Sequence, residues 1–484
     1  MTTAPLARAE STNSTTEKDT PIPAYDIAII GGGLVGASLA CALEGFAKEH
    51  NWSIAVVEAV DVLDDVHVAD PQAGAFQTSA FQTGAFQTSY DARSTALSWG
   101  SRHIYEQIGL WSYLAPHVAP IKKIHVSDKG HLGATRLDHS DHHVEALGYV
   151  APNIALGRTL LAGVKKAPHV SWLCPFKVTD FSVKAERHQL ILSNDAGEQQ
   201  VIEASLVVLA DGGQSGLKQQ LQIKDTVRPY DQHAVVCNLT MSQAHEGWAY
   251  ERFTADGPMA WLPLPEPNNI ALVWTVPTEQ IEEISALDDE AFKQKLLQLF
   301  GFRLGDIERV GERYQYPLTL VRATEQVRPG LAVLGNAAHY MHPVAGQGYN
   351  LALRGVAELA GVLHQAAEQG EKLGDLSVLQ RYQQRRRQDQ DAVIGFSDGL
   401  IRLFANNNPV LGHFRAGGLM LLDRFKPAKR WFARQAMGIG GSSVRLRALT
   451  SNQDAGNQDV GKPYKQDKQH RTTEQVLAKA GEQV

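Results

Sequence analysis

One stretch near the start of the chain leaves little freedom of fold. The apolar run Tyr25-Asp26-Ile27-Ala28-Ile29-Ile30 leads straight into Gly31-Gly32-Gly33-Leu34-Val35-Gly36 and then into a helical pattern over Ala37–Leu43. A strand that turns at once into a helix has no room for side chains at the turn. Gly31 permits the tight turn, Gly33 lets a pyrophosphate approach the backbone, and Gly36 lets helix and strand pack closely. The helix N-terminus then offers N–H groups and the positive end of its dipole to phosphates. Twenty-two residues past Gly36, the run Ser53–Val57 ends in Glu58, placed to accept hydrogen bonds from ribose hydroxyls. Strand, glycines, helix, strand and terminal acid together predict a dinucleotide-binding βαβ unit. An acid at that position disfavours a 2′-phosphate, which leaves FAD or NAD as the bound nucleotide.

Two later stretches repeat the theme of a strand that ends in a turn. Ser205–Ala210 runs into Asp211-Gly212-Gly213-Gln214-Ser215, where a carboxylate beside a glycine turn can order a loop near a pyrophosphate. Taken alone, a plain Asp-Gly turn explains that stretch. Leu331–Leu334 leads to Gly335-Asn336, and then Pro343-Val344-Ala345-Gly346-Gln347-Gly348-Tyr349-Asn350 opens a helix over Leu351–Leu363. A glycine-rich helix start of this kind can stabilise the negative charge of a reduced flavin ring.

The rest of the chain sets the frame. Its 484 residues are 43% hydrophobic and 20% charged, enough for a large core. With 46 basic and 52 acidic residues the net charge is −6, so no overall field favours nucleic acid. Cys41, Cys174 and Cys237 are odd in number and widely spaced, which fits a reducing cytoplasm better than a disulfide framework. His339 and His342 lie three apart without a fitting third ligand, so no metal site is expected. No apolar run is long and charge-free enough to span a membrane; the best stretch, Gly330–Leu353, carries too many polar groups. The fold class expected is α/β: a Rossmann-like dinucleotide domain with an inserted β-rich substrate domain and a helical C-terminal region. The divisions are a disordered 1–22, a first nucleotide-binding part 23–226, a β-rich block 227–318, a second nucleotide-binding part 319–400, a helical region 401–440 and a disordered tail 441–484. Within the first part, 64–90 reads as a loop expansion that carries three tandem AFQT(S/G) units over Ala75–Ser89.

The ordered set GGGLVG, ADGGQS and GNAAHYMHPVAGQGYN resembles the FAD-dependent aromatic hydroxylases among the flavoprotein monooxygenases, over about Tyr25 to Phe404. Within that class YDARSTALS (90–98), IHVSDKGHLG (124–133), AHEGWAYERFTADGPMAWLPLP (244–265) and FGFRLGDIERVGERYQYPL (300–318) are most similar to the 2-polyprenyl-6-methoxyphenol hydroxylase family of ubiquinone biosynthesis. Where the wider class has Asp in the third motif, this chain has Asn336, which keeps a hydrogen-bonding role without the charge.

The resemblance implies FAD as cofactor, NADH or NADPH as transient co-substrate without a Rossmann domain of its own, and O2 as oxidant. It implies that the reduced flavin activates O2 at its C4a carbon for oxygen transfer to the ring of a polyprenylated phenol. Arg93 and Arg158 match family positions that contact FAD. The cofactor set is therefore Gly31, Gly33, Gly36, Glu58, Arg93, Arg158, Asp211, Asn336, Gly346, Gly348 and Asn350. The catalytic surface is Pro343, Gly346, Gln347 and Gly348. The alternatives are another ring hydroxylation of the same pathway, a flavin-dependent prenyl reductase, and a prenyl-binding protein without flavin, which the intact Gly346–Asn350 argues against. A prenyl tail calls for a membrane surface or a pathway complex as partner, so the expected location is cytoplasmic and peripheral at the inner face of the membrane. Basic and apolar residues interleaved over Ile401–Met437 suit a membrane-surface element, or a helix packed on the FAD domain.

Overall fold

The computed structural model describes residues 21–60, 93–130, 133–184, 186–254, 256–341, 346–404 and 423–439, with single positions at 418 and 421. The repeat-bearing loop, both terminal segments and Pro343 lie outside the described residues.

Apolar runs with no polar alternation need cover on both faces, and they form a largely parallel sheet. Its order is Val327–Arg328, Leu331–Val333, Gln199–Leu209, Ala24–Ile30, Ile54–Val57, Val170–Leu173. Pairing is parallel from Leu331–Val333 through to Val170–Leu173. The strand Ala24–Ile30 is central. The chain leaves it on one side, to Ile54–Val57, and Gln199–Leu209 later fills the other. This reversal opens a crevice at the C-terminal strand ends. The first helix, Leu34–His50, covers the sheet and buries Leu39, Ala40, Leu43 and Phe46. It packs against Gln347–Glu368 and Asn153–Lys165 in one core with Ile27, Val56, Leu206 and Leu353. The helix exceeds the expected Ala37–Leu43 at both ends, because tertiary packing extends a run whose sequence signal was only its most apolar part.

A second, nine-stranded sheet faces the crevice. Its order is His339–Tyr340, Tyr314–Ala323, Asp225–Met241, Asn269–Pro277, Pro258–Pro263, Trp248–Phe253, Lys123–Asp128 and Ala134–Asp138, with Ile307–Val310 beside Asp225–Met241. Two of these strands, Lys123–Asp128 and Ala134–Asp138, come from before residue 227. Trp248–Phe253 accepts Lys123–Asp128 as a parallel neighbour, Tyr250 opposite His125. This second sheet is therefore assembled from distant stretches of chain. One face of this sheet packs on the helix Asp289–Phe300, burying Phe292, Leu296 and Phe300 against Trp261, Leu272 and Trp274. The other face looks toward the crevice.

Two long helices close the structure, Gln347–Glu368 and Leu376–Phe404. Between them Arg354 and Arg386 both bind the carboxylate of Asp389, at 2.9 and 2.5 Å. Arg386 is 1% exposed, so this shared anion is what makes two inward cations tolerable. Among the described residues no helix is long and apolar enough to cross a membrane.

Candidate flavin site and substrate cavity

Four adjacent parallel strands end at one edge, and each delivers a turn to it. In spatial order these are Gly335-Asn336, Asp211, Gly31 and Glu58. Gly31 has φ +99°, and a Cβ there would sit 2.6 Å from the Asp211 Cα, so only glycine fits between the two strands. A Cβ on Gly36 would fall 1.8 Å from the Gly31 carbonyl oxygen, which is the close helix–strand approach that the spacing predicted. Gly33 is the N-cap of the Leu34–His50 helix, and no side chain caps that terminus.

The acids hold the turns in shape. Glu58 accepts hydrogen bonds from the Gly32 N–H at 2.7 Å and the Val60 N–H at 2.9 Å. Asp211 accepts from the Gly213 and Ser215 N–H groups, both at 2.9 Å. Gly31, Gly33, Glu58, Arg93, Asp211 and Asn336 line a single cavity of about 1230 Å³. A helix terminus without a side-chain cap, opening into a cavity beside a strand-end carboxylate, is the arrangement a dinucleotide needs. The residues fit FAD.

The second glycine helix reaches the same cavity. Gly346 adopts φ +62° at the start of Gln347–Glu368, and a Cβ there would meet the Ala96 Cβ at 2.8 Å. Gly346, Gln347, Gly348 and Asn350 line the cavity, Gln347 and Asn350 being buried. Asn350 serves the protein rather than a ligand. Its amide donates to the Ala96 and Gly346 carbonyls and its oxygen accepts from the Ser98 N–H and the Ser101 hydroxyl. All four hydrogen-bonding positions are used, so its side chain fixes the turn and has nothing left for the cofactor. Tyr349 reaches back to the first helix, its hydroxyl 2.9 Å from Ser38 Oγ and 2.7 Å from Tyr105 Oη, and burial pushes it up to about 12.

Arg93 lines the cavity with its guanidinium 4.9 Å from the Tyr316 ring centre. Arg158 does not reach the cavity wall. The helix Asn153–Lys165 turns its first residue, Asn153, to the cavity, and Arg158 lies more than a turn further on, half-buried, where after burial its charge depresses the nearby His117. His339 is buried and lowered to about 4, first by burial and then by Arg386, so its imidazole stays neutral.

Beyond the glycine turns the cavity continues under the nine-stranded sheet. Strand alternation puts Ile124 and Val126, Ala249 and Phe253, Ala260 and Leu262 on its wall. Phe396 and Phe432 close it from the C-terminal helices. Sequence reasoning missed one residue of this wall, Glu251. Its signal was a lone acid in step with Ala249 and Phe253, but which strand face meets the cavity is visible only in the assembled sheet.

Comparison with known proteins agrees with this geometry. Residues 85–397 match the FAD binding domain family. The ubiquinone hydroxylase UbiL of Rhodospirillum rubrum is 34% identical over 85% of this chain and 89% of its own length. The 3-demethoxyubiquinol 3-hydroxylase of Escherichia coli is 29% identical over 86% of this chain and 98% of its own. Human ubiquinone biosynthesis monooxygenase COQ6 is 28% identical over 84% and 91%. Among solved structures, p-nitrophenol 4-monooxygenase PnpA from Pseudomonas putida superposes with a TM-score of 0.66 at 14% identity, covering 87% of this chain and all of that one. At that identity the likeness concerns the fold.

Proposed function

The chain belongs to the FAD-dependent aromatic monooxygenase family, and on that premise we propose that it hydroxylates the ring of a polyprenylated phenol, 2-polyprenyl-6-methoxyphenol, in ubiquinone biosynthesis, with NADH or NADPH and O2 as co-substrates. The observation that carries this reading is the single cavity that runs from the glycine turns to an apolar sheet face. One end suits a dinucleotide and the other a ring with a hydrocarbon tail. Relatives that act in ubiquinone formation supply the substrate class.

The chemistry FAD would supply here is activation of O2 by its reduced ring and transfer of one oxygen atom to an electron-rich arene. The protein's part is placement and environment. Gly31–Gly36, Glu58, Asp211 and Asn336 would hold the dinucleotide, and the N-terminus of Gln347–Glu368 would put Gly346–Gly348 and its positive dipole end beside the flavin ring. Val126, Phe253, Leu262 and their neighbours keep water from the reacting ring and line the space for the prenyl tail. We also propose that the protein meets this lipid substrate at a membrane surface or in a complex there, the outer side of Lys426–Ala436 being the contact.

Deletion of the gene followed by lipid extraction tests the function. Accumulation of a polyprenylated phenol one ring hydroxyl short of the next intermediate is expected, and its structure names the step. A full set of ring hydroxyls on a prenyl chain of altered saturation would sink the hydroxylase reading in favour of a prenyl reductase.

A further inference from the structure

The strand Trp248–Phe253 runs between Lys123–Asp128 and Pro258–Pro263, with Glu251 in register with Val126 on one side and Ala260 on the other. Alternation gives Ala249, Glu251 and Phe253 to the cavity, and all three are part of its wall. Arg252 takes the opposite side, near Arg303 and Asp128. Across the cavity face of the sheet most neighbours are apolar, Ile124, Val126, Leu137, Leu262 and Val273, with Thr135 in the same row beyond Val126. Among the described residues neither a hydrogen-bond donor nor a cation serves the Glu251 carboxylate, and burial alone pushes its carboxyl up to about 7. An acid in an apolar wall is costly. Its place in the wall of the cavity gives that cost a use.

Resting on the hydroxylase reading above, we propose that Glu251 is the base that takes the proton from the substrate's ring hydroxyl during oxygen transfer. As a ring carbon bonds to the electrophilic oxygen, the phenolic O–H bond breaks and its electron pair becomes the C=O bond of a transient dienone. The proton moves to Glu251. FAD, once bound and reduced by the nicotinamide, would supply the activated O2; two electrons come from the nicotinamide and two from the ring, one oxygen atom enters the ring and the other leaves as water. When the ring C–H proton departs to solvent and aromaticity returns, the carbonyl takes the proton back from Glu251, which ends the cycle ionised. A base whose pKa lies near working pH serves such a transfer best.

Among the described residues the other titratable groups on the cavity wall are Glu58, Arg93, Lys177 and Asp211 toward the nucleotide end, and Tyr316, Tyr340 and Tyr349; Tyr250, in register with His125, turns its ring to Phe300 on the other face of the sheet. On the far face of the sheet are His125 and Arg252. None of these contributes to the shift of Glu251, so a pH limb near 7 would belong to it.

The test uses the flavin-loaded full chain and the variants E251Q and E251L. For the wild type, kcat should rise with pH through an apparent pKa near 7. E251Q should lose that limb and about 10²–10⁴-fold in kcat, while flavin content and the rate of flavin reduction stay at wild-type level. A binding measurement without nicotinamide supplies a second readout: flavin absorbance reports the affinity of a prenylated methoxyphenol and of its O-methyl ether. The wild type should prefer the phenol about ten- to a hundredfold, as expected for a hydrogen bond to a charged acceptor, and E251L should bring the ratio close to one. E251Q with wild-type kcat and pH profile, or E251L with an unchanged phenol preference, overturns the assignment. A wild type that neither binds nor hydroxylates any prenylated phenol overturns the functional reading, and the base falls with it.

Discussion

The carboxylate of Glu58 is already committed twice, to the N–H groups of Gly32 and Val60. Each carboxylate oxygen keeps a further lone pair for a ribose hydroxyl. Replacing Glu58 with Ala therefore removes a charge-assisted ribose contact and releases the glycine turn together. FAD affinity should fall about ten- to a hundredfold, measured by titrating flavin into apoprotein; a change under twofold rejects the ribose role. Glu251 makes the opposite case, an acid whose folded environment disfavours its charge. Its carboxyl rises from 4.5 to about 7, so the folded protein keeps a proton that the unfolded chain releases between those values. Stability is thereby lost as pH climbs through that window, and the deficit persists above it. The isosteric E251Q, which cannot ionise, should be more stable than the wild type at pH 8, by at most about 3 kcal/mol, and the two should converge near pH 4. Thermal melts across that range decide it, and equal stability of the two proteins at pH 8 would remove the burial cost from the account.

At the scale of elements, the helix Lys426–Ala436 faces two ways. Ala433 and Met437 are buried with Leu137 and Leu147, and Phe432 reaches the cavity. This is the packed-helix alternative of the sequence reading. Its outer side carries Phe425 and Trp431, 56% and 58% exposed, among the exposed cations Arg424, Lys426, Arg430 and Arg434. Lys429 is engaged with Asp423 at 3.1 Å and is the wrong residue to test. Removing the charges of Arg424, Lys426 and Arg430 should abolish flotation with anionic vesicles at low salt, each cation contributing about 1 kcal/mol at such a surface. Undiminished flotation would leave the helix with its packing role alone. Element boundaries in general ran longer than the sequence suggested, as for Leu34–His50 and Gln347–Glu368, because burial against neighbouring helices sustains turns that have weak periodicity of their own.

For the whole molecule, one cavity joins the glycine turns to an apolar sheet face, so that on the proposed function it takes both cofactor and substrate, and no single stretch of chain builds its apolar wall. Affinity should accordingly increase with each prenyl unit that enters the space, at about 0.8 kcal/mol per buried CH₂, and level off once the tail emerges. KM measured over a series of prenyl lengths reads this directly. A KM independent of tail length would place the tail outside the cavity.

The sequence by itself determined the nucleotide half, because its information is local. A strand running straight into three glycines, a helix start with glycine in place of a capping side chain and an acid some two dozen residues on are read from adjacent positions, since the chain must turn where it meets the phosphate. The nine-stranded sheet was legible as strands but not as a wall. A period of two assigns residues to two faces without saying which face is inside. That choice depends on Lys123–Asp128 pairing with Trp248–Phe253 across more than a hundred residues, and only tertiary structure makes it. The same limit explains Asn350, whose motif pointed to a ligand and whose amide instead closes four protein hydrogen bonds. It explains Arg158, placed by its motif at a helix start but by the fold beyond the cavity wall. And it explains Glu251, an ordinary acid in the sequence, which distant strands set among largely apolar side chains in the wall of the cavity.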